Sequence, residues 1–306
     1  MGLREEWRVA QISLALTLLG IVFLAVTAIF YAVSGTADNK TVENQTVPPE
    51  PGMAENTSLP LANDSGFPEM EEDIFEMVNR KREENSTAPL EWNEELAWVA
   101  RQHSRELARE NRPLTEPDLA CPRPFIHHEG FGFGLYHYDR LRNSGIHYFG
   151  YSGENIFTIP AWKNATSYPE ELPEECPDEE RIVSPYEGEH PEEQVKEAYR
   201  ELLEFAENAE RVSWSEVEWY GREELERNIV SGWTNSTGHR ELMLDSSFDE
   251  TGIGIAKVND YYFITQIFIE RLECGYKTGP CCEEEGFYPY CFEPMVCEEG
   301  VCTIPQ

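Results

Sequence analysis

The sequence predicts an α+β domain with a mostly antiparallel sheet, and three observations support this prediction. Apolar residues recur at helical spacing in the segments that begin near residues 69 and 94. Two short runs rich in β-branched and aromatic residues, "TGIGIAKVND" and "YYFITQIFIE", lie nearer the C-terminal end. Helices first and strands last are typical of an α+β arrangement. With 306 residues, the chain is long enough for one large domain or two smaller ones.

The chain is strongly acidic, with a formal net charge of −34 at pH 7. Surfaces of the same sign repel each other, so we expect neither nucleic acid nor an anionic membrane surface as a binding partner. Cations are the natural counterpart of such a surface. Glutamates outnumber aspartates several-fold, which is typical of solvated side chains on helices.

The N-terminal segment predicts a membrane anchor at residues 9–33. No charged residue lies between Arg8 and Asp38, and the apolar stretch exceeds the roughly 20 residues that span a bilayer. A cleavable signal peptide is the alternative, because "AVSGTA" supplies small residues, although its apolar part would usually be about 7–15 residues long. Arginines precede the segment, which predicts that residues 1–8 are cytoplasmic and that the C-terminal part is extracellular.

Residues 34–68 are rich in Asn, Thr, Ser and Pro and lack a sustained apolar period, which predicts a disordered, glycosylated linker. The chain contains Asn-x-Ser/Thr triplets at Asn39, Asn44, Asn56, Asn63, Asn85, Asn164 and Asn235. Such triplets are glycosylation acceptors in secreted proteins. Together with an even number of cysteines, eight, they predict an oxidising compartment outside the cell.

Two helices open the folded part, for which we predict residues 69–272. The segment "EMEEDIFEMVNRKREEN" has acids in its first turn and an apolar face. Asn93 precedes a second periodic segment and is a predicted N-cap. The second helix places five residues on an inner face: Leu96, Ala97, Ala100, His103 and Leu107. Of these, His103 is expected to be a satisfied core histidine.

An acidic, helical insertion is predicted at about residues 157–215. It contains "YPEELPEECPDEE" followed by "PEEQVKEAYRELLEFAENAERV", whose composition is helical. The next segment, "SEVEWYGREELERNIVSGW", predicts a further helix, and the dipeptide Asn259-Asp260 predicts a hairpin between the two strand-like runs. Three tryptophans are expected in the core: Trp92, Trp98 and Trp233.

The C-terminal block, residues 273–306, holds six cysteines in too few residues to build a hydrophobic core. Three disulfides would compensate by restricting the unfolded chain, and the oxidising compartment favours them over a zinc knuckle, whose paired C-x-x-C units are missing. The sequence leaves their connectivity open. Cys121 and Cys176 remain and can pair with each other.

These segments together resemble the superfamily of cysteine-rich secretory proteins, antigen 5 and pathogenesis-related proteins, often called the CAP or SCP domain. The matching pieces occur in the family's order: "IFEMVNRKREEN", "PLEWNEELAWVARQHSREL", "DRLRNSGI", "GENI", "IVSGWTNSTGHRELML", "FDETGIGIA" and "YYFITQIF". They run from about Glu69 to Arg271, with the acidic insertion between them. The resemblance implies a three-layer α-β-α sandwich with a cleft that holds two histidines and one or two glutamates.

By the same resemblance, three residues of this chain are assigned to the cleft. The first histidine is His128, with its neighbour His127 as the alternative, the glutamate of "GENI" is Glu154, and the second histidine is His239. Members with a full set carry a second glutamate three positions after the tryptophan of the last helix, where this chain has Ser236. Smaller microbial members are similar in this respect, with a pattern of the type "W..S.GHR".

Two interpretations of these cleft residues are open. Two neutral imidazoles and a carboxylate can bind zinc or another divalent cation and leave a position for water or a ligand. Alternatively, His128, Glu154 and His239 form a hydrogen-bonded network in which the carboxylate fixes an imidazole tautomer.

The sequence favours a binding role over catalysis. It contains neither the HExxH helix of zinc proteases nor a G-x-S-x-G elbow, and Ser236, within a sequon, is more typical of a turn than of a nucleophile. We therefore predict a membrane-anchored extracellular protein that binds a small ligand or a cell-surface protein. The alternative is a metal-dependent hydrolase of peptides or envelope polymers, in which a metal-bound water attacks the substrate.

Overall fold

The computed structural model describes residues 66–130, 132–168, 191–283, 291–292 and 294–305. All of them belong to one compact unit, Asn63–Gln306. The predicted anchor, nearly all of the predicted linker, Cys176 and the four sequons before residue 66 lie outside the described residues. No helix in the described part of the chain is both long and apolar enough to cross a membrane.

The described ranges contain six helices and eight strands. The helices are α1 (Pro68–Glu84), α2 (Glu94–Glu110), α3 (His137–Asn143), α4 (Pro191–Asn208), α5 (Arg222–Asn235) and α6 (Thr237–Leu244). The strands are β1 (Glu91–Trp92), β2 (Phe149–Pro160), β3 (Trp162–Tyr168), β4 (Ser213–Trp219), β5 (Glu250–Val258), β6 (Tyr261–Arg271), β7 (Val296–Glu298) and β8 (Val301–Thr303).

The central sheet has the strand order β1-β5-β6-β2, and all of its pairs are antiparallel except the short parallel pair of β1 with β5. The expected hairpin joins β5 and β6, with Asn259 at φ +50° in the left-handed region that Asn tolerates in tight turns. Strands β3 and β4 form a second, two-stranded sheet, and β7 and β8 form a third. The predicted α+β class with a mostly antiparallel sheet is confirmed.

Helices cover both faces of the central sheet because successive side chains of a strand point in opposite directions. On β6, Ile264 and Phe268 pack in the core cluster of α1, α5 and α6, whereas Ile267 and Ile269 pack against α2 and α3. These four side chains are fully buried, and each contributes roughly 1.5–3 kcal/mol of hydrophobic stabilisation. The sheet is therefore the layer on which both sets of helices are held.

The backbone of α2 lies directly on β5, and the glycines of "TGIGIA" explain how. A Cβ at Gly252 would lie 2.1 Å from the backbone nitrogen of Ala97, and a Cβ at Gly254 would lie 2.0 Å from that of Arg101. Only glycine allows this close approach. The predicted N-cap is also confirmed, since Oδ1 of Asn93 accepts hydrogen bonds from the first turn of α2.

Two expectations about the sequence around the tryptophans are wrong. Residues 213–219 form strand β4 and not the start of a helix, because "SWSEVEW" pairs with β3, and α5 begins only at Arg222. Trp98 is not a core residue. Its side chain is 46% exposed and contacts Phe133 edge-on, because it lies on the outward side of α2. Trp233, in contrast, is fully buried as expected.

The C-terminal block is held by three disulfides, as predicted. They join Cys274 to Cys282, Cys281 to Cys297 and Cys291 to Cys302. The Cα atoms of each pair are 5.0–5.7 Å apart, within the usual range for disulfides. Cys121 is also disulfide-bonded. The predicted helix of the acidic insertion is present as α4, which buries Val195, Leu202 and Ala206.

Candidate functional site

The candidate site is centred on Glu154, whose carboxylate is almost completely buried. Glu154 lies on β2 opposite Ile267 of β6, and Ile267 packs against α2 and α3, so the Glu154 side chain points to that face of the sheet. Its side chain is 1% exposed. A buried carboxylate needs charged or hydrogen-bonding partners to remain stable, and the surrounding elements provide them.

His128 is the histidine that contacts this carboxylate. It lies in the loop between α2 and α3, and its Nδ1 is 3.0 Å from Oε1 of Glu154, while 22% of the side chain stays exposed. The alternative residue, His127, points elsewhere, with its Nε2 2.8 Å from Oε2 of Glu110 at the end of α2. Of the two residues that the sequence left open, His128 is therefore the one that contacts Glu154.

Arg140 of α3 occupies the other side of the carboxylate. Its Nη2 donates a hydrogen bond to Oε2 of Glu154, and its Nη1 donates to the backbone carbonyl of His128 at 3.0 Å. Both oxygens of Glu154 therefore have charged or hydrogen-bonding partners. Sequence reasoning missed Arg140, because nothing in "DRLRNSGI" separates this buried arginine from the exposed Arg142 two residues later.

These partners keep Glu154 ionised. Burial alone would raise the pKa of its carboxyl group, but the charge of Arg140, the nearby imidazole of His103 and the hydrogen bond from His128 outweigh burial and hold the pKa well below its usual range. Nε2 of His103 lies 3.9 Å from Oε1 of Glu154. The pKa of His103 is lowered by burial and by the charge of Arg140, so its imidazole is neutral at pH 7.

His239 lies in the first turn of α6, on the other side of β2. The close packing of α6 on this strand depends on Gly153, where a Cβ would lie 2.7 Å from Cδ1 of Leu242. Nδ2 of Asn155 donates a hydrogen bond to the carbonyl of His239 at 3.2 Å. The "GEN" triplet thus places a carboxylate on one face of the strand and anchors the second histidine on the other.

His128 acts electrostatically on His239, the second assigned histidine. Burial lowers the pKa of His239, and the charge of His128 lowers it further, so the His239 imidazole is neutral at pH 7. Its ring forms no hydrogen bond with His128 or Glu154, all three of which are described. Ser236 is the single residue between α5 and α6, which is consistent with its interpretation as a turn residue.

Glu129, which the sequence did not single out, is a further buried acid beside His128. It is fully buried, and neither of its carboxylate oxygens forms a hydrogen bond with a described residue. Burial raises the pKa of this carboxyl group, an effect that the nearby histidines only partly oppose. No sequence pattern distinguishes Glu129 from the many exposed glutamates of this chain.

The chemistry of these donors fits a cation only in part. Nδ1 of His128 is used by Glu154, so its Nε2 and the neutral ring of His239 remain as soft nitrogen ligands, whereas Glu154 itself has no free oxygen. Across the described ranges, the one group of three His, Cys, Asp or Glu ligand atoms within 4.8 Å of one another is Cys281, Cys291 and Cys302, which are disulfide-bonded. The three-ligand site stays a prediction.

Residues 180–268 match the family model described as the cysteine-rich secretory protein family, CAP. No curated protein matches this chain. Among solved structures, the chain is similar to an extracellular SCP-domain protein of Bacillus anthracis, with 20% identity and a TM-score of 0.36. It is also similar to an outer surface protein of Borrelia burgdorferi, with 15% identity and a TM-score of 0.37.

A third similar structure is a cysteine-rich secretory protein of Staphylococcus aureus, with 15% identity and a TM-score of 0.32. The three alignments cover 67%, 66% and 69% of this chain and, in the same order, 41%, 93% and 40% of the other chains. This chain therefore spans about two fifths of the length of two of them. The family match includes α5, α6, β5, most of β6 and His239, so residues 180–268 match the CAP superfamily, as the resemblance predicts.

Proposed function

We propose that this chain is a membrane-anchored, extracellular CAP-domain protein that binds a ligand in the cleft around His128 and His239. The observation that supports binding over hydrolysis is the state of Glu154, which is buried, ionised and engaged by Arg140 and His128 on both oxygens. An efficient general base has a pKa near the working pH and a free oxygen to take the proton. Glu154 has neither property.

In this proposal Glu154 is a positioning residue for His128. A carboxylate at Nδ1 of an imidazole fixes the tautomer whose Nε2 lone pair is free, and this arrangement is common behind metal-binding histidines. His128 and His239 would then hold a divalent cation such as zinc, which would supply a polarised position for an oxygen or nitrogen atom of the ligand. Glu154 would not coordinate it.

Features from different parts of the chain support an extracellular location of the domain. The three disulfides suit an oxidising compartment. The described sequon asparagines, Asn85, Asn164 and Asn235, are all exposed, as a glycosylation acceptor must be. The apolar segment at residues 9–33 would tether the domain. We also infer that the helices on both faces of the sheet form the three-layer sandwich of the family, and that the partner is a small ligand or a cell-surface protein.

Zinc titration calorimetry of the full-length chain tests the cleft. We expect binding at pH 7.5 that weakens below about pH 6, where protons compete for the histidines. His239→Ala should abolish binding, and Glu154→Gln should weaken it about 10–100-fold, as is usual when the partner of a metal-binding histidine is removed. His147→Ala is the matched control, because His147 lies in a partly exposed loop near Lys277 and Arg142.

Three outcomes would count against the proposal. Zinc binding that is unchanged in His239→Ala would remove the cation pair, and binding that is unchanged in Glu154→Gln would remove its positioning role. The third outcome concerns catalysis. We expect the protein to show no turnover of mixed peptide and glycan substrates. Turnover that is sensitive to a chelator and lost in His239→Ala would establish the hydrolase instead.

A further inference from the structure

A second cavity lies apart from the Glu154 site and shares no lining residue with it. The paired strands β3 and β4, the loop at residues 115–122 and the β5–β6 turn enclose it, and its volume is about 410 Å³. Sites for small molecules usually measure about 300–1,000 Å³. Four aromatic side chains line this cavity: Trp162, Trp214, Trp219 and Tyr261. We call it the tryptophan cavity.

A β-bulge in β4 brings two of these tryptophans to the same side. Residues 214 and 219 of a regular strand would point to opposite faces, since side chains alternate. Glu216 has a φ of +52°, in the left-handed region, and the register between β3 and β4 shifts beside it. As a result Trp214, Val217 and Trp219 all line the cavity. Bulges often redirect side chains in this way near binding sites.

The indole rings are open to a ligand. Trp219 is 51% exposed, and Trp162 and Trp214 are only partly buried. The rings of Trp162 and Trp214 lie 6.1 Å apart at an angle of 30°. Single exposed aromatic residues are common on protein surfaces, but several that line one concave site are typical of a binding surface.

Carboxylates form the polar part of the same cavity. Glu116, Asp118 and Asp260 line it. Arg211 donates hydrogen bonds to the carboxylates of Glu116 and Asp118, the second at 2.8 Å, so one positive charge is shared by two negative charges. Among the described residues, the Asp260 carboxylate has one charged partner, Lys257 at 3.9 Å, whose ammonium group also lies over the ring of Tyr262. The lining is therefore aromatic and net negative, within a chain of net charge −34.

We propose that the tryptophan cavity binds a small organic cation of the quaternary-ammonium class. The face of an indole ring attracts such a cation, and nearby carboxylates add attraction that a neutral ligand does not feel. A bare metal ion is a poor fit, because hard cations need several converging oxygen atoms, and the described carboxylates provide no such group of three. Asp260 is the carboxylate best placed to meet the cation, since it has the weakest existing partner.

The test compares choline with 3,3-dimethylbutan-1-ol, its uncharged analogue of the same shape, by tryptophan fluorescence and calorimetry on the full-length chain. Choline should bind, and the alcohol should bind at least about tenfold more weakly. Trp214→Ala and Asp260→Asn should each weaken choline binding by about the same factor. Trp98→Ala removes an exposed tryptophan of α2 outside the cavity and should leave binding unchanged.

Equal binding of choline and the alcohol would overturn the proposal, because the cavity would then be a simple apolar pocket. Binding of a neutral oligosaccharide that requires Trp214, with no binding of choline, would also overturn it and would indicate a carbohydrate site. No choline binding at millimolar concentration would do the same. If Trp214→Ala fails to fold, Asp260→Asn decides the test alone. Zinc binding at His128 and His239 is independent of all these outcomes.

Discussion

Arg82 and Arg140 are both fully buried, but they are stabilised in different ways. Arg82 of α1 donates only to backbone carbonyls, those of Ala88, Met243, Asp245 and Phe248, at 2.7–3.0 Å. Arg140 of α3 donates to the carboxylate of Glu154 as well as to a carbonyl of the cleft loop. Arg82 is held mainly by backbone dipoles, with a further attraction from the Asp245 carboxylate, whereas Arg140 forms a direct ion pair with a buried carboxylate.

This difference separates a structural role from a functional one. Arg82 ties α1 to the end of α6 and to the turn that leads into β5, and its carbonyl partners do not titrate. Arg140 belongs to a network of ionisable groups that includes Glu154 and His103, both of which have a lowered pKa in the folded chain. The first region should therefore affect stability alone, and the second should link stability to pH and ligand.

The largest effect is expected at Arg82. Arg82→Met should lower the free energy of unfolding by about 3–5 kcal/mol, because several buried carbonyls lose a charged donor at once. Urea denaturation followed by circular dichroism measures this change. Arg80→Met is the control on the same helix, since Arg80 is 57% exposed and pairs only with Glu76, and its effect should be within about 0.5 kcal/mol. A loss below about 1 kcal/mol for Arg82→Met would contradict the structural role.

At Arg140 the expected loss of stability is somewhat smaller, and a second substitution should partly restore it. Arg140→Met leaves the charge of Glu154 buried with fewer partners and should cost about 3 kcal/mol. The double variant with Glu154→Leu removes both charges, so it should be more stable than Arg140→Met alone. No second substitution can rescue Arg82→Met in this way, because its partners are backbone atoms. A double variant less stable than the single one would show that the network is held by packing rather than by charge.

Most of the fold could be predicted because local signals agreed with it. The N-cap Asn93, the inner face of α2 and the β5–β6 hairpin follow from residue types and spacing. Strand β4 was not predicted, because "SEVEW" runs directly into the helical pattern of α5 and was assigned to that helix, and its pairing with β3 shows that it is a strand. Trp98 likewise shows that helical spacing does not fix which side of a helix faces the core.

The site was predictable only where a motif exists. His128 and Glu154 were found through the family resemblance, and they do contact each other. Arg140 and Glu129 were missed, because burial of a charged residue is a property of the folded chain that no periodicity encodes. The ionisation of Glu154 could not be predicted either, since its pKa depends on partners that come from three distant segments.

The pH dependence of stability should come from the cleft and not from Arg82. Burial and the charge of Arg140 lower the pKa of His103, so the unfolded chain takes up a proton near pH 6.5 while the folded chain does not. The unfolded state then binds more protons, and the free energy of unfolding should fall as pH drops below about 6.5, by up to about 1.4 kcal/mol per pH unit for His103. Glu154, whose folded pKa is lowered, adds to the same trend below about pH 4.

The variant His103→Gln measures that contribution. Urea unfolding at pH 7.5, 6.5 and 5.5 should give a shallower decrease for this variant than for the wild type, and Arg80→Met should keep the wild-type slope. If His103→Gln loses stability equally at all three pH values, then His103 is only a packing residue and does not provide the pH response.

The smallest effect is expected at Asn93, whose hydrogen bonds to the first turn of α2 are partly accessible to water. Its Oδ1 accepts hydrogen bonds from the nitrogens of Glu95 and Leu96, and its Nδ2 contacts Glu250 at 2.5 Å. Asn93→Ala should cost about 1 kcal/mol, less than either buried arginine, because water can replace part of what is lost. Asn93→Ser keeps an N-cap acceptor but loses the contact with Glu250, so urea unfolding should show it close to the wild type. If the serine variant is as unstable as the alanine variant, the contact with Glu250 dominates. The loss of unfolding free energy on removing a side-chain hydrogen bond would then not depend on burial alone.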